Sequence, residues 1–374
     1  MKKLYLILAL SFTVRSVAFS QETYEIYVSD AGGFSNPSPP WQILKYDQNG
    51  ENGEVFISDN LGWPQDILFL EEENHVLISN LNTDQINIHD IATGDLVGLF
   101  STQADGPTRM AIGPDGLLYV LQWNGNGPVL RFNLDGTFVD EFTQTGIPRA
   151  IGLAWDDQGN LYVASYSQSN VRVYDSNGND NGLFIGSGLN GPTNIWFNEA
   201  GELLVNNYNL GQVLKYDASG NFIEVVLSGI TWNEGIAVLP NGNYLIGGGQ
   251  SGVVNEYTPD GVFVQEVISS GPPLNLQTPN AVVIQEISTL STIDISDKDV
   301  VISPIPGDYF QLQSDSSSEI QSIEVFDVTG KLILEKEYNG EVLWDGREFP
   351  EGQYTISIRF NDGSSISRKV ILSH

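Results

Sequence analysis

A turn motif that recurs at nearly constant spacing is the feature of this sequence that most restricts its fold. The motif consists of an aromatic residue, Asp or Asn, two further residues and Gly, as in Tyr174-Asp175-Ser176-Asn177-Gly178. With two looser copies included, its glycines lie at positions 50, 94, 136, 178, 220 and 261, spaced by 44, 42, 42, 42 and 41 residues. Gly and Asn tolerate the positive φ angles of tight turns, so these positions predict hairpins rather than helices.

A second series of glycine turns runs in phase with the first. Its members are Asp115-Gly116, Gln158-Gly159, Ala200-Gly201 and Asn241-Gly242. Each stands between two short apolar segments, so each period holds four short strands. Four strands in a period of this length are typical of a β-propeller blade.

The two ends of the repeat region predict the number of blades. Residues 24–30 match the second strand of a repeat, and residues 279–284 match a first strand with no second strand after it. Pairing of these two segments would complete one blade and remove the open sheet edges. With five complete blades between them, the sequence predicts an all-β, six-bladed β-propeller over residues 21–284.

The repeat pattern resembles that of the NHL-repeat propellers. The shared elements are Pro-x-x-apolar, then Gly-x-Leu-Tyr-Val-x-aromatic, then Tyr-Asp-x-x-Gly. The resemblance implies the fold but no single function, since such propellers include lyases, lactonases and pure binding modules.

The N-terminus predicts export from the cytoplasm. Lys2 and Lys3 precede the apolar residues 4–10, and Ala18 and Ser20 stand at the −3 and −1 positions of a cleavage after residue 20. This is the pattern of a secretory signal peptide over residues 1–20. We expect no membrane-spanning segment after its removal. The chain has no Cys, which excludes disulfides, thiol nucleophiles and a lipoprotein anchor.

The repeat stops after residue 284, and the rest of the chain has a different pattern. Residues 285–301 are rich in Ser, Thr and Asp and predict a linker, and residues 302–374 predict a small antiparallel β-sandwich. Three segments there resemble the type A sorting domain of the bacterial type IX secretion system, although Ile305 replaces the Asn usual in that family. The residues that carry the resemblance are Asp327, Gly330, Lys331, Gly352, Tyr354 and Lys369.

The sorting-domain resemblance implies a source, a partner and a location. The source would be a member of the Bacteroidota, and the partner would be the type IX secretion machinery. The mature protein would be extracellular or on the outer cell surface. The alternative is an ordinary accessory β-sandwich without a sorting role.

Composition limits the classes of function. The chain has 47 acidic and 16 basic residues, for a formal net charge of −31. A surface this acidic repels phosphate backbones and anionic membranes, so we expect no nucleic-acid partner. The three histidines, His75, His89 and His374, are too few for a zinc lyase of the amidating type and do not suit a Ser–His–acid hydrolase.

Polar residues at one end of the predicted blades suggest a metal site. First strands begin and second strands end at that face, near the central channel, and gluconolactonase-like propellers gather Glu, Asn and Asp there around a divalent ion. Asp66, Asn194 and Glu234 would supply these types, and oxygen ligands suit Ca²⁺. The alternatives are a metal-dependent, lactonase-like hydrolase or lyase and a hydrated channel mouth without metal. The polar candidates are Asp30, Asp66, Arg109, Arg149, Asn194, Asn206, Glu234 and Asn280.

Aromatic residues in connections at the same face suggest a binding site. Aromatic planes beside amide groups suit sugars or peptides, because they combine apolar stacking with directional hydrogen bonds. The leading interpretation is therefore a secreted or cell-surface binding protein for a glycan or a protein, in preference to an enzyme. The alternative is that these aromatic residues only fill gaps between blades. The predicted ligand-binding residues are Trp41, Trp63, Trp123, Trp232, Tyr166, Tyr208 and Arg109.

Overall fold

The computed structural model describes residues 23–33, 41–249, 251–287, 300–303, 308–314, 320–327, 330–338, 344–361 and 365–373. The predicted signal peptide and Ile305 lie outside these ranges. The chain divides into two compact units, residues 1–288 and 289–374. The boundary falls within the predicted linker, of which residues 288–299 are not described. Among the described residues, no helix has the length and apolarity needed to cross a membrane.

The described residues of unit 1 form short β-strands and one 3₁₀ turn, η1 (Tyr208–Leu210). Its first twelve strands are β1 (Thr23–Asp30), β2 (Gln42–Asp47), β3 (Glu54–Ile57), β4 (Pro64–Leu70), β5 (His75–Asn80), β6 (Gln85–Asp90), β7 (Leu96–Ser101), β8 (Pro107–Ile112), β9 (Leu118–Gln122), β10 (Leu130–Phe132), β11 (Phe138–Glu141) and β12 (Ala150–Trp155). The other twelve are β13 (Leu161–Ser165), β14 (Asn170–Tyr174), β15 (Asp180–Ile185), β16 (Pro192–Phe197), β17 (Leu203–Asn207), β18 (Gln212–Tyr216), β19 (Phe222–Ser228), β20 (Asn233–Val238), β21 (Tyr244–Gly248), β22 (Val253–Tyr257), β23 (Phe263–Ile268) and β24 (Pro279–Ile287).

These strands form four-stranded antiparallel sheets. Strands β4–β7, β8–β11, β12–β15, β16–β19 and β20–β23 each make one sheet, here called sheets 2 to 6. Sheet 1 combines β1–β3 with β24, which pairs with β1 from Thr23↔Ile287 to Asp30↔Pro279. The predicted pairing between the two ends of the repeat region is therefore confirmed.

In each sheet, the strand that the repeat pattern places first is the innermost one. In sheet 1 this strand is β24, which comes last in the chain. These inner strands are β4, β8, β12, β16, β20 and β24, and each contacts the next in that order, with β24 returning to β4. Pro is the first residue of four of them, where its missing N–H costs no ladder hydrogen bond. Unit 1 is thus all-β, with its sheets arranged as in a β-propeller.

Local hydrogen bonds explain why the recurring turn contains Asp or Asn followed by Gly. In the copy at residues 174–178, Gly178 N–H donates to Asp175 O over 2.9 Å. The Asp175 carboxylate accepts from the N–H groups of Asn177 and Asn179 over 2.8 and 3.0 Å. Gly178 has φ +78°, a conformation that glycine adopts without strain.

The glycines of this turn also allow neighbouring sheets to approach each other closely. A Cβ built on Gly178 would lie 1.9 Å from Phe142 O, at the outer edge of the preceding sheet. A Cβ built on Gly50 of sheet 1 would likewise lie 1.9 Å from Val267 O of sheet 6. The contacts therefore link the sheets in closed cyclic order. The six pairs are Gly50–Val267, Gly94–Phe56, Gly136–Phe100, Gly178–Phe142, Gly220–Phe184 and Gly261–Val226.

Replacing Gly178 with Ala is expected to destabilise unit 1 more than the same change at Gly201. Gly201 closes an equivalent turn with φ +74°, but its Cβ would meet no atom within 4 Å. Both changes strain a left-handed backbone, at about 1–2 kcal/mol. Only Gly178→Ala also forces Phe142 away, which adds about 1–3 kcal/mol. Denaturant unfolding of the two full-length variants checks this, and equal losses would contradict the steric role of the sheet-to-sheet contact.

Unit 2 contains the remaining strands, in two sheets. The sheets are β25-β26-β29 and β28-β27-β30-β31. Phe310 and Trp344 from the first sheet share one buried cluster with Ile323 and Ile356 from the second. The strands are β25 (Val300–Ser303), β26 (Tyr309–Ser314), β27 (Ile320–Asp327), β28 (Leu332–Glu337), β29 (Trp344–Asp345), β30 (Gly352–Phe360) and β31 (Ser365–Leu372).

Candidate functional site

A cavity of about 230 Å³, here called the channel cavity, lies where the inner strands meet. Residues from all six inner strands line it, which identifies it as part of the central channel. Its walls are mainly apolar, and three polar side chains enter it: Asp66, Arg109 and Asn194.

Arg109 is the centre of the polar network in the channel. Its side chain is buried, and its guanidinium donates from Nε to Asn194 Oδ1 over 2.8 Å and from Nη2 to Glu234 Oε1 over 3.0 Å. Nη2 also donates to Asn280 O over 2.6 Å, and Nη1 lies 3.9 Å from Asp66 Oδ1. One cation therefore ties together inner strands from five sheets.

The two carboxyl groups of this network, those of Asp66 and Glu234, have raised pKa values. Burial raises the pKa of Glu234 to about 7, since the desolvation cost exceeds the attraction of Arg109 and the charge of Asp66 adds to it. Burial also raises the pKa of Asp66 against the opposing effect of Arg109. Glu234 is therefore able to gain or lose a proton near neutral pH.

The three residues predicted to bind a metal all contact Arg109. Asp66, Asn194 and Glu234 surround the guanidinium, which already supplies the positive charge they require. A divalent ion there would lie beside a fixed positive charge, so this arrangement does not favour the Ca²⁺ prediction. Within the described part of the chain, no group of three or more His, Cys, Asp or Glu is placed to hold a metal ion.

A second cavity, of about 340 Å³, opens at the face where the inner strands begin, and we call it the face cavity. Seven residues singled out in the sequence line it directly: four aromatic ones, together with Arg149, Glu234 and Asn280. Sequence reasoning missed Gln65 and Asn82, because glutamine and asparagine carry no distinctive signal in an amide-rich chain. The lining residues are Trp63, Gln65, Leu81, Asn82, Trp123, Arg149, Ile151, Tyr166, Thr193, Tyr208, Glu234 and Asn280.

Three of the four aromatic residues that line the face cavity form a continuous row, which Trp232 extends outside the lining. The ring centroids of Trp123 and Tyr166 are 5.4 Å apart, and those of Tyr166 and Tyr208 are 6.0 Å apart. Trp232 stacks on Tyr208 at 6.2 Å with an interplanar angle of 7°. Trp41 is half-buried with its Nε1 enclosed, and it is not among the residues that line the cavity.

The row arises because equivalent positions of successive sheets carry aromatic residues. Trp123, Tyr166 and Tyr208 each directly follow the second strand of their sheet. Their N–H groups donate to Gly106 O, Arg149 O and Gly191 O, the carbonyls of the residues directly before the inner strands. Aligning the repeats by their glycines would have revealed this series in the sequence.

The residue before the inner strand has a left-handed backbone in five sheets. Two of these residues are glycines, Gly106 (φ +64°) and Gly191 (φ +62°). The other three are Trp63 (φ +55°), Arg149 (φ +49°) and Trp232 (φ +52°), for which this conformation is strained. Large side chains therefore stand at the cavity where glycine would suit the backbone better.

Gln65 connects the face cavity to the Arg109 network. With its amide oriented to match its neighbours, its oxygen accepts from Trp63 Nε1 over 2.8 Å and from Asn280 Nδ2 over 2.6 Å. Its nitrogen donates to Glu234 Oε1 over 3.2 Å. The indole of Trp63 is thus fixed, and Glu234 belongs both to the lining and to the buried ion pair.

In unit 2, the residues with sorting-domain resemblance gather at one surface. Asp327, Gly330, Tyr354 and Lys369 line a cavity of about 360 Å³. Asp327 N–H donates to Lys331 O over 3.0 Å, and Gly330 closes the turn with φ +77°. The motif residues thus shape the β27–β28 hairpin.

The family model of the secretion system C-terminal sorting domain matches residues 304–373. This match supports export by the type IX secretion system and interaction with its machinery. It marks the protein for the cell surface or the extracellular space. No curated protein matches the chain.

Solved structures similar to this chain support the propeller-like fold. A chain from a nidogen–laminin complex matches with a TM-score of 0.58 and 13% identity, covering 70% of this chain and 98% of its own. A protein of unknown function from Bacteroides caccae matches with a TM-score of 0.56 and 16% identity, with coverages of 70% and 98%. A putative gluconolactonase matches with a TM-score of 0.50 and 14% identity, covering 84% of this chain and 92% of its own. At these identities the likeness concerns the fold alone.

Proposed function

We propose that this protein is an exported carbohydrate-binding propeller that holds a sugar in its face cavity. The observation that carries the proposal is the row of Trp123, Tyr166 and Tyr208, placed at equivalent positions of three successive sheets. The apolar faces of sugar rings stack on such planes.

The polar part of the lining completes the requirements of a sugar site. Asn82 is exposed and offers an amide group for ring hydroxyls, while Gln65, Thr193 and Asn280 are buried polar residues of the wall behind it, with Gln65 and Thr193 already hydrogen-bonded within the protein. Asn280 Oδ1 has no hydrogen-bond partner among the described residues. The cavity volume is near the lower end of the usual range for small-molecule sites. A short oligosaccharide would therefore place one or two rings inside and the rest along the rim.

The proposal includes a more specific architecture and processing. The six sheets, with their cyclic contacts and the β1–β24 pairing, support a six-bladed propeller of the NHL-like type over residues 21–284. The core shared by the two sheets of unit 2 supports a β-sandwich over residues 302–374. Removal of residues 1–20 as a signal peptide would leave the mature chain.

Replacing Trp123 with Ala is expected to weaken sugar binding at least about 10-fold, or about 1.4 kcal/mol, because the indole plane at one end of the row is lost. A glycan array identifies a bound sugar, and calorimetric titration of the full mature chain measures the change. The matched control is Phe222→Ala, which removes an exposed ring from the outer strand β19. Equal affinities in Trp123→Ala and the parent protein would contradict binding in the face cavity, as would a protein partner bound in the absence of any sugar.

A second candidate function is a hydrolase or lyase acting in the same cavity. The observation that favours it is Glu234, a lining residue with a pKa of about 7, which suits a general acid or base near neutral pH. Conversion of the sugar during the titration, lost in Glu234→Gln while binding persists, would favour the enzyme over the binding protein.

A further inference from the structure

Among the basic residues that the structure describes in unit 1, Arg149 differs from the others in having no carboxylate partner. The described residues of this unit include six Lys and Arg side chains, of which five form ion pairs. The sixth, Arg149, is exposed at the face cavity and forms no ion pair with any described residue. In a chain with 47 acidic residues, leaving one arginine without a carboxylate points to a partner outside the chain. The paired residues are Lys45, Arg109, Arg131, Arg172 and Lys215.

The backbone of Arg149 gives no structural reason for an arginine. The residue has φ +49°. In this conformation its carbonyl oxygen accepts a hydrogen bond from the Tyr166 N–H over 3.0 Å. Gly106 and Gly191 make the equivalent bond in their sheets without strain. A non-glycine residue in this conformation costs about 1–3 kcal/mol, and such strain is concentrated at functional sites.

The guanidinium of Arg149 is held where a ligand in the face cavity would meet it. Its central carbon lies 5.2 Å from the ring centroid of Trp123, in a cation–π contact. Stacking uses the face of the guanidinium and leaves its N–H edges available, which suits bidentate binding of a carboxylate. Because the guanidinium covers one face of the Trp123 ring, the sugar proposed to stack on this ring would use the opposite face.

We propose that the face cavity selects an acidic sugar, a hexuronate unit whose carboxylate pairs with Arg149 while its ring stacks on Trp123 and Tyr166. This inference rests on the proposed carbohydrate site and specifies its ligand class. The surface of the protein repels anions in general, so selection of an acidic sugar requires a local cation. Arg149 provides that cation, whereas Glu234, which lines the same cavity, is already paired with Arg109.

The test compares trigalacturonate with the neutral galactotriose of the same linkage, titrated into the full mature chain. We expect the parent protein to prefer trigalacturonate. Arg149→Gln is expected to lower that affinity by about 10- to 100-fold, because a charge-assisted hydrogen-bonded pair is lost, and to lower galactotriose affinity much less, so that the preference for trigalacturonate disappears. The matched control is Arg172→Gln, which removes the same charge from an ion pair with Asp180 on the outer part of sheet 4.

A second variant separates ligand binding from a structural role. Arg149→Gly is expected to bind trigalacturonate as weakly as Arg149→Gln does, and to melt at the same or a higher temperature than the parent, because the strain is released. A lower melting temperature would assign Arg149 to the fold and overturn the inference.

The outcomes distinguish the two proposals. Equal affinity of the parent and Arg149→Gln for trigalacturonate overturns the selection of acidic sugars, and the proposed carbohydrate site survives if Trp123→Ala still weakens binding. If neither sugar binds the parent and the array finds no other, the proposed function fails together with this inference.

Discussion

A chain that ends at residue 303 is expected to remain inside the cell envelope and to be absent from the cell surface and the medium. The sorting-domain match covers residues 304–373, and this variant lacks all of them. Immunoblots of cell, surface and medium fractions from a host with a type IX secretion system measure the effect, which should be complete rather than partial.

Two further variants exclude misfolding as the cause of lost export. Asp327→Asn and Lys369→Gln change two residues that line the surface cavity of unit 2 and remove no part of the hydrophobic core. Both should reduce export if that surface is what the machinery contacts. Conversely, residues 289–374 fused behind a signal peptide and a reporter protein should carry the reporter out. Normal export of the chain ending at residue 303 would refute the sorting role.

Replacing Arg109 with Met is expected to lower the free energy of unfolding of unit 1 by about 3–5 kcal/mol at pH 8. Removing one partner of a buried ion pair leaves the other charges uncompensated, and that cost is of this size. Arg109 also bridges Asn194, Asn280 and the two carboxyl groups across the channel. Denaturant unfolding followed by tryptophan fluorescence measures the loss.

The loss should depend on pH with a definite sign. The pKa of Glu234 is about 7 in the folded protein, against an ordinary value of 4.5. The folded state therefore holds this proton more tightly, and the contribution of Glu234 to stability falls as pH rises from about 4.5 to about 7. Without Arg109 the pKa values of Glu234 and Asp66 rise further, so the loss should be larger at pH 8 than at pH 5.5.

A double variant tests whether uncompensated charge is the cause. Arg109→Met combined with Glu234→Gln should recover part of the stability at pH 8, because one buried carboxylate is gone. Arg172→Met, which breaks the more exposed ion pair with Asp180, should cost less than about 1 kcal/mol. A pH-independent loss in Arg109→Met would mean that lost packing, rather than charge, explains the effect.

The candidate site was predictable in part. Trp63, Trp123, Tyr166 and Tyr208 were expected at one face, and all four line the face cavity. Their positions follow from the repeat, because a residue at a fixed distance from a repeated turn lies at the same place in every sheet. Trp41 has no such relation to the other aromatic residues, and it is not among the cavity-lining residues.

The strands and turns could be inferred from the sequence because they depend on local chemistry: an Asp carboxylate that accepts nearby N–H groups, a Gly with positive φ, and alternating apolar residues. The pairing of β1 with β24 could be inferred because each end of the repeat region holds an incomplete repeat. Only the tertiary structure shows that Arg109 lies between Asp66 and Glu234, and that Arg149 pairs with no carboxylate in the described part of the chain. Arg109 and Glu234 are 125 residues apart in the chain, and no local pattern encodes their distance. The partners of a buried charge are set by where the inner strands of different sheets converge, so its chemistry could be assigned only from the structure.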